Sequence, residues 1–246
     1  MNGDGDNIGD FGIIPRSITY IFDLIKERNN SEKYSVKVSY YRHNTAFDEI
    51  EDLLNDDPNQ IVKIKESKEL GTYIQNLSTV PTKNSNEMYE YFIKGKNKFT
   101  REFTSFFTVT IDSIKTTKSD DSSIKNSTRT GRLYFIDMKA WDCENTYKCC
   151  NQHSTEAKYI SKSLTPLAMV VAALADNSSH VPYRSGKDTR LLKDVLGGNC
   201  KTVWISNINI NSTYYDKTIS TLLLSSRVKC IENKPVINTH PIDNSP

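Results

Sequence analysis

The chain has 246 residues, long enough for one large α/β domain or two small ones. Its 37% hydrophobic content, with 10% aromatics, suffices for a core, and a mean hydropathy of −0.56 goes with long polar loops. The net charge of +2, with bases interleaved among acids, argues against a polycationic nucleic-acid binder, and no apolar run is long enough to span a bilayer. Met1-Asn2-Gly3-Asp4-Gly5-Asp6 has neither a basic start nor an apolar core, so it does not read as a signal peptide, and the expected compartment is cytosolic or nuclear.

Strand-like and helix-like segments alternate along the chain, which predicts an α/β architecture. Pro15 opens a helix with Ile18, Ile21, Phe22 and Ile25 at helical spacing. Tyr34, Val36, Val38 and Tyr40 fall on one face of a half-buried strand. Phe47, Ile50, Leu53 and Leu54 form a short amphipathic turn, and short strands are expected at 61–64 and 73–74 around a turn at Gly71. Residues 85–94 read as a helix with Met88, Tyr91 and Phe92 inward, and 106–111 as a strand. The polar stretch 116–130 is expected to be a mobile loop. Leu133-Tyr134-Phe135-Ile136-Asp137 reads as a buried strand that delivers a carboxylate at its C-terminal edge. Thr165-Pro166 is a strong helix start, and Leu167, Val170, Val171 and Leu174 line one face of the helix beyond it. A second helix is expected over 189–196, ended by Gly197-Gly198, then a buried strand over 202–208 and a last amphipathic helix over 216–231. From Pro235 onward the chain reads as an extended tail.

Two local clusters stand out. Between Tyr183 and Lys201 the bases Arg184, Lys187, Arg190, Lys193 and Lys201 outnumber Asp188 and Asp194. Cys143, Cys149, Cys150 and His153 raise the question of zinc, but their spacing fits no finger or ribbon, so no metal site is assigned. The five cysteines, an odd number, are expected to be free thiols.

The basic segment His180-Val181-Pro182-Tyr183-Arg184-Ser185-Gly186-Lys187-Asp188-Thr189-Arg190-Leu191-Leu192 resembles the signature loop and helix with which kinesin motor domains dock on the microtubule. Further ordered segments carry the same resemblance. They include Gly12-Ile13-Ile14-Pro15-Arg16, Asp52-Leu53-Leu54, the run from Glu156 to Leu164 with Lys162-Ser163-Leu164, the run from Tyr215 to Leu222, and Asn233 to Asn238. The chain is thus similar to kinesins whose motor precedes the stalk. The resemblance implies an incomplete P-loop NTPase-type motor fold, a central mixed sheet with helices on both faces, over residues 1–238, and a neck-linker-like tail over 239–246. It implies cytoplasmic, cytoskeletal localisation and a microtubule partner, with a second motor chain left open. By the same resemblance Lys162, Tyr183, Arg184, Lys187 and Arg190 fall on microtubule-binding positions, where cations on rigid elements face an acidic track.

The departures from the family lie in the nucleotide machinery. Kinesins hold ATP and Mg²⁺ with a Gly-x-x-x-x-Gly-Lys-Ser/Thr loop, and no such string occurs in these residues. Gly197-Gly198-Asn199-Cys200-Lys201-Thr202 leaves a helix and enters a predicted strand, the reverse of a phosphate loop. The first switch is replaced or deleted within 97–107. The second reads Asp137-Met138-Lys139-Ala140-Trp141-Asp142, with Ala140 where the family has Gly and Asp142 where it has Glu. Asp137, Ala140 and Asp142 are therefore the remnants of a degenerate nucleotide site. Near the track, Gly186 and Asp188 also depart from the family's Ser and Leu.

Positioning and electrostatics supply nearly all of phosphoryl-transfer catalysis. The family's activity is ATP-driven movement along microtubules. This chain is expected to keep the binding without the hydrolysis, and to use no cofactor of its own. The alternative reading is a non-motor module that binds a microtubule or a motor partner without ATP. Met1-Asn2-Gly3 resembles the family segment just after the phosphate loop, an internal position in a longer motor. The family strand that feeds this loop would lie between 133–137 and 202–208, so unpaired edges and poor solubility are expected of these residues alone.

Overall fold

A computed structural model describes residues 1, 11–28, 32–44, 48–57, 60–67, 71–98, 103–118, 124–138 and 166–241. They fall into two compact units, one formed by 1–63, 76–139 and 237–246, the other by 64–75 and 140–236.

The first unit is a sheet with two helices. Helix α1 (Ile13–Arg28) buries Ile14, Ile18, Ile21 and Phe22, the stripe that the 3.6-residue period predicts. Strand β1 (Lys33–Asn44) pairs with β2 (Glu49–Asp52), with β5 (Val80–Thr82) and, over Lys33↔Ile114 to His43↔Thr104, with β6 (Thr104–Lys118). Strand β7 (Ile124–Asp137) pairs with β6 from Ser105↔Asp137 to Lys118↔Ile124. The sheet order is β2-β1-β6-β7-β8, where β8 is Thr239–Pro241. Helix α2 (Ser85–Asn97) packs against α1 and β1. Its N-cap Asn84 accepts the Glu87 N–H, and Glu87 in return accepts the Lys83 N–H at 2.7 Å. Gly95 lets this helix lie directly on the sheet, because a Cβ there would come within 2.1 Å of the Tyr40 ring.

The core lies between these helices and one sheet face. Val36, Val38 and Tyr40 of β1, Phe107 and Val109 of β6, and Phe135 of β7 meet Ile18, Met88 and Phe92. Phe107 sits edge-on to Tyr40 and Phe92, with ring centroids 5.3 and 5.5 Å away. On the opposite face Tyr41 and Phe106 stack at 4.9 Å. The Asp52-Leu53-Leu54 turn buries both leucines, while the Asp52 carboxylate accepts the N–H groups of Leu54, Asn55 and Ser78.

The second unit holds a two-stranded hairpin, β3 (Lys63–Ser67) and β4 (Gly71–Gln75), and three helices: α3 (Pro166–Ala175), α4 (Lys187–Leu191) and α5 (Tyr215–Val228). Helix α3 packs against α4 and α5 through Leu167, Val170 and Val171.

Several expectations need correction. The stretch 116–130 is not an open loop: residues 116–118 and 124–130 belong to the β6–β7 ladder. Its Thr and Ile residues favour strand, and the register started in the core simply continues outward. In the six-stranded sheet, expected to be mixed, β1 pairs antiparallel with β2, β5 and β6, as β7 does with β6 and β8. Residues 202–208 form no strand. Val203 and Ile205 stand 85% and 63% exposed, because an apolar run becomes a buried strand only where neighbouring strands supply ladder bonds and a cover. The helix expected over 189–196 runs instead over Lys187–Leu191 and continues as turns. Part of the expected extended tail is ordered too, with β8 pairing with β7 and Asn238 accepting the Thr130 N–H.

Candidate functional site

The basic segment folds as a tight, internally bonded corner. Pro182 leads into a 3-10 turn at Tyr183–Ser185, Gly186 is extended, and α4 begins at Lys187. Thr189 is buried, and its hydroxyl lies 2.8 Å from the Tyr183 carbonyl and 2.9 Å from that of Gly186. The half-buried Tyr183 donates its hydroxyl to the Leu196 carbonyl at 2.5 Å. Burial, reinforced by the charge of Asp194, pushes its phenol above the usual value. Tyr183 therefore braces the corner.

Gly186, one of the departures near the track position, packs against Pro166. A Cβ at residue 186 would approach the Pro166 Cβ to 3.2 Å, so the glycine makes room for the proline that starts α3. Residues 139–165 lie outside the described residues, and with them Ala140, Asp142, Lys162 and the Cys143/Cys149/Cys150/His153 group.

Arg184 projects from this corner with its side chain 81% exposed. Its Nη2 donates to Glu66 Oε2 of β3 at 2.8 Å. Arg190 sets its Nε 3.7 Å from Glu66 Oε1. The hydrogen bond from Arg184 holds the Glu66 carboxyl below the usual carboxylate value, with Lys193 and Arg190 adding charge. Lys187 is half-buried at the start of α4. The structure thus brings Tyr183, Arg184, Lys187 and Arg190 into one corner. Glu66 had no local signal: it is one charge in the alternating Lys63-Ile64-Lys65-Glu66, 118 residues before its partner.

The remaining predicted site residues are dispersed. Asp137 closes β7, opposite Ser105 in register, and is half-buried. Burial pushes the Tyr40 phenol up, a hydrogen bond with Ser105 opposes this, and the Asp137 charge adds to the rise. Among the described residues no group of three His, Cys, Asp or Glu side chains stands together as a metal site. Gly197-Gly198 is a packed turn. Gly197 (φ +80) donates its N–H to Asn233 Oδ1 at 2.7 Å, and Gly198 accepts the Lys234 N–H at 2.9 Å. The Asn233 amide nitrogen also lies within 2.9 Å of the carbonyls of Val195 and Cys200. Sequence reading placed Asn233 only as part of a family motif, and this bracing role emerges from the fold.

The family model for the kinesin motor domain matches residues 1–231. The chain belongs to the kinesin motor-domain family. It is 35% identical over 254 residues to the kinesin-like protein klp-20 of Caenorhabditis elegans, covering 99% of this chain and 38% of that protein. It is 34% identical over 251 residues to a kinesin heavy chain of Syncephalastrum racemosum, covering 97% of this chain and 26% of that one. The kinesin segment seen here therefore spans well under half of these relatives. Its fold matches the solved structure of a fast kinesin with a TM-score of 0.78 and 30% identity, over 100% of this chain and 70% of that one. It also matches KIF14, solved as a dimer in complex with a microtubule, with a TM-score of 0.77 and 24% identity, over 94% of this chain and 68% of that one. No helix among the described residues is long and apolar enough to cross a membrane.

Proposed function

We propose that this kinesin segment binds the microtubule through the corner at 183–190 and does not hydrolyse ATP by itself. The observation that carries the reading is the internal hydrogen bonding of that corner. Thr189 and Tyr183 lock the backbone by side-chain hydrogen bonds, so Arg184, Lys187 and Arg190 are offered from a fixed frame. Cations on a fixed frame lose less entropy on meeting an acidic surface than cations on a loose loop. Arg184 and Arg190 supply planar forks suited to carboxylates, Lys187 a point charge, and Lys162 extends the set by family resemblance.

Three features support the absence of turnover in these residues. The chain has no Gly-x-x-x-x-Gly-Lys-Ser/Thr string. Asp137 belongs to no group of three or more His, Cys, Asp or Glu side chains among the described residues. The N–H of Gly197, the nearest imitation of a phosphate loop, is already donated to Asn233.

Co-sedimentation with polymerised tubulin at low ionic strength, with and without Mg-ATP, tests both halves. Pelleting that weakens with salt and ignores ATP is expected. Failure to pellet overturns the binding half, and magnesium-dependent phosphate release overturns the other.

A further inference from the structure

Two guanidinium groups from separate elements converge on one carboxylate. Arg184 reaches Glu66 from the 3-10 turn at 2.8 Å, and Arg190 reaches it from α4 at 3.7 Å. Glu66 is carried on β3, whose partner strand β4 packs against α4. Gly71 (φ +66), which opens β4, lies close to the Asp194 carboxylate, 3.5 Å from where a Cβ on residue 71 would be. The hairpin is therefore seated on the basic corner. An arginine fork takes an outside carboxylate with the same geometry it uses for an inside one. An outside carboxylate competes with Glu66 for the donor that Arg184 already gives it.

We propose that Glu66 is an internal stand-in for the partner's acid: the β3–β4 hairpin caps Arg184 and Arg190, and an acidic surface binds this corner by displacing Glu66. The inference rests on the reading above that this corner meets tubulin, and it adds a competitor built into the chain. Because Arg184 is mostly exposed, the pair is weak and the cap lowers affinity without blocking it. Removing the carboxylate should tighten binding by about three- to fivefold.

A double-mutant cycle on the 246-residue chain, read as the microtubule Kd by co-sedimentation, tests this. Glu66→Gln keeps the side chain's size and removes its charge, and it should tighten binding about three- to fivefold in the parent chain. In an Arg184→Gln background the same change should give less than about twofold, since the main contact to be released is gone. Glu66→Asp keeps the net charge but shortens the reach. It should tighten binding by roughly twofold, which a general field effect cannot do.

Equal gains from Glu66→Gln in both backgrounds would overturn the cap and leave only a field effect. Weaker binding by Glu66→Gln would also overturn it, and would make Glu66 a residue that positions the arginines. If neither the parent nor Glu66→Gln pellets, the microtubule reading itself fails and takes this inference with it. Pelleting of the parent with no gain in Glu66→Gln overturns the inference alone.

Discussion

The two units of this chain use the same kinds of apolar residue to different effect. In the first, Val38, Phe107 and Val109 are fully covered, because β1, β6 and β7 supply ladder partners and α1 and α2 supply a lid. In the second, Val203, Ile205 and Ile210 stand 85%, 63% and 99% exposed along a stretch without a ladder. Apolar side chains make a core only where a facing layer exists. The contrast predicts amide exchange. Amides of β6 opposite β1 should exchange about a thousandfold or more slower than those of 203–210, which need no unfolding to open. Comparable protection in the two stretches would show that 203–210 has found a partner and would break the contrast.

Mutations sharpen the same comparison. Phe107→Ala removes a ring packed against Tyr40, Phe92 and Phe135, and should lower unfolding free energy by about 3–5 kcal/mol in urea titration. Ile205→Ala should stay within about 0.5 kcal/mol, since most of that side chain is already in water. A large loss from Ile205→Ala would mean that its exposure is not the state in solution. Gly197→Ala falls between. Residue 197 has φ +80, and a Cβ there would meet Leu174 Cδ2 at 2.6 Å and the Tyr183 hydroxyl at 2.9 Å. About 1–3 kcal/mol is expected, together with weaker microtubule binding, because Tyr183 braces the basic corner. Unchanged stability would remove that bracing role.

What was legible in the sequence follows from which interactions are local. The helix stripes of α1 and α2, the alternation of β1 and the Asp52 turn are written in neighbouring residues, and each was readable. Family membership was readable as well, from ordered segments spread along the chain. The failures share one cause: they needed facts about distant residues. Whether 116–130 is a loop or a hairpin depends on how far the β6–β7 register extends. Whether 202–208 is buried depends on neighbours that no local pattern names. In the candidate site, the cations Arg184, Lys187 and Arg190 were proposed from one contiguous segment, whereas the partners of Glu66 and Asn233, 118 and 36 residues away, left no local trace.

The smallest expected effect concerns the same long-range pair. Glu66 has its carboxyl held below the ordinary value, first by the hydrogen bond from Arg184. A depressed folded-state value means that the contribution is fully present above the unfolded carboxyl value and is lost as pH falls through the folded one. The window therefore lies below about pH 4.3, the unperturbed glutamate value. The pair is largely exposed and screened, so the contribution should be small. Arg184→Gln should lower stability at neutral pH by that small amount and leave it unchanged below the window, so its acid limb is flatter by the same amount. Because Asp56, held low by Lys94 and Lys98, titrates in the same region, the comparison must be made between Arg184→Gln and the parent, in which Asp56 is common to both. An identical acid limb in the two chains would mean that Glu66 and Arg184 do not hold each other in solution. The second unit would then have lost one of the contacts between its hairpin and its basic corner, a contrast with the first unit, where Arg42 holds Glu51 at 2.6 Å across β1 and β2.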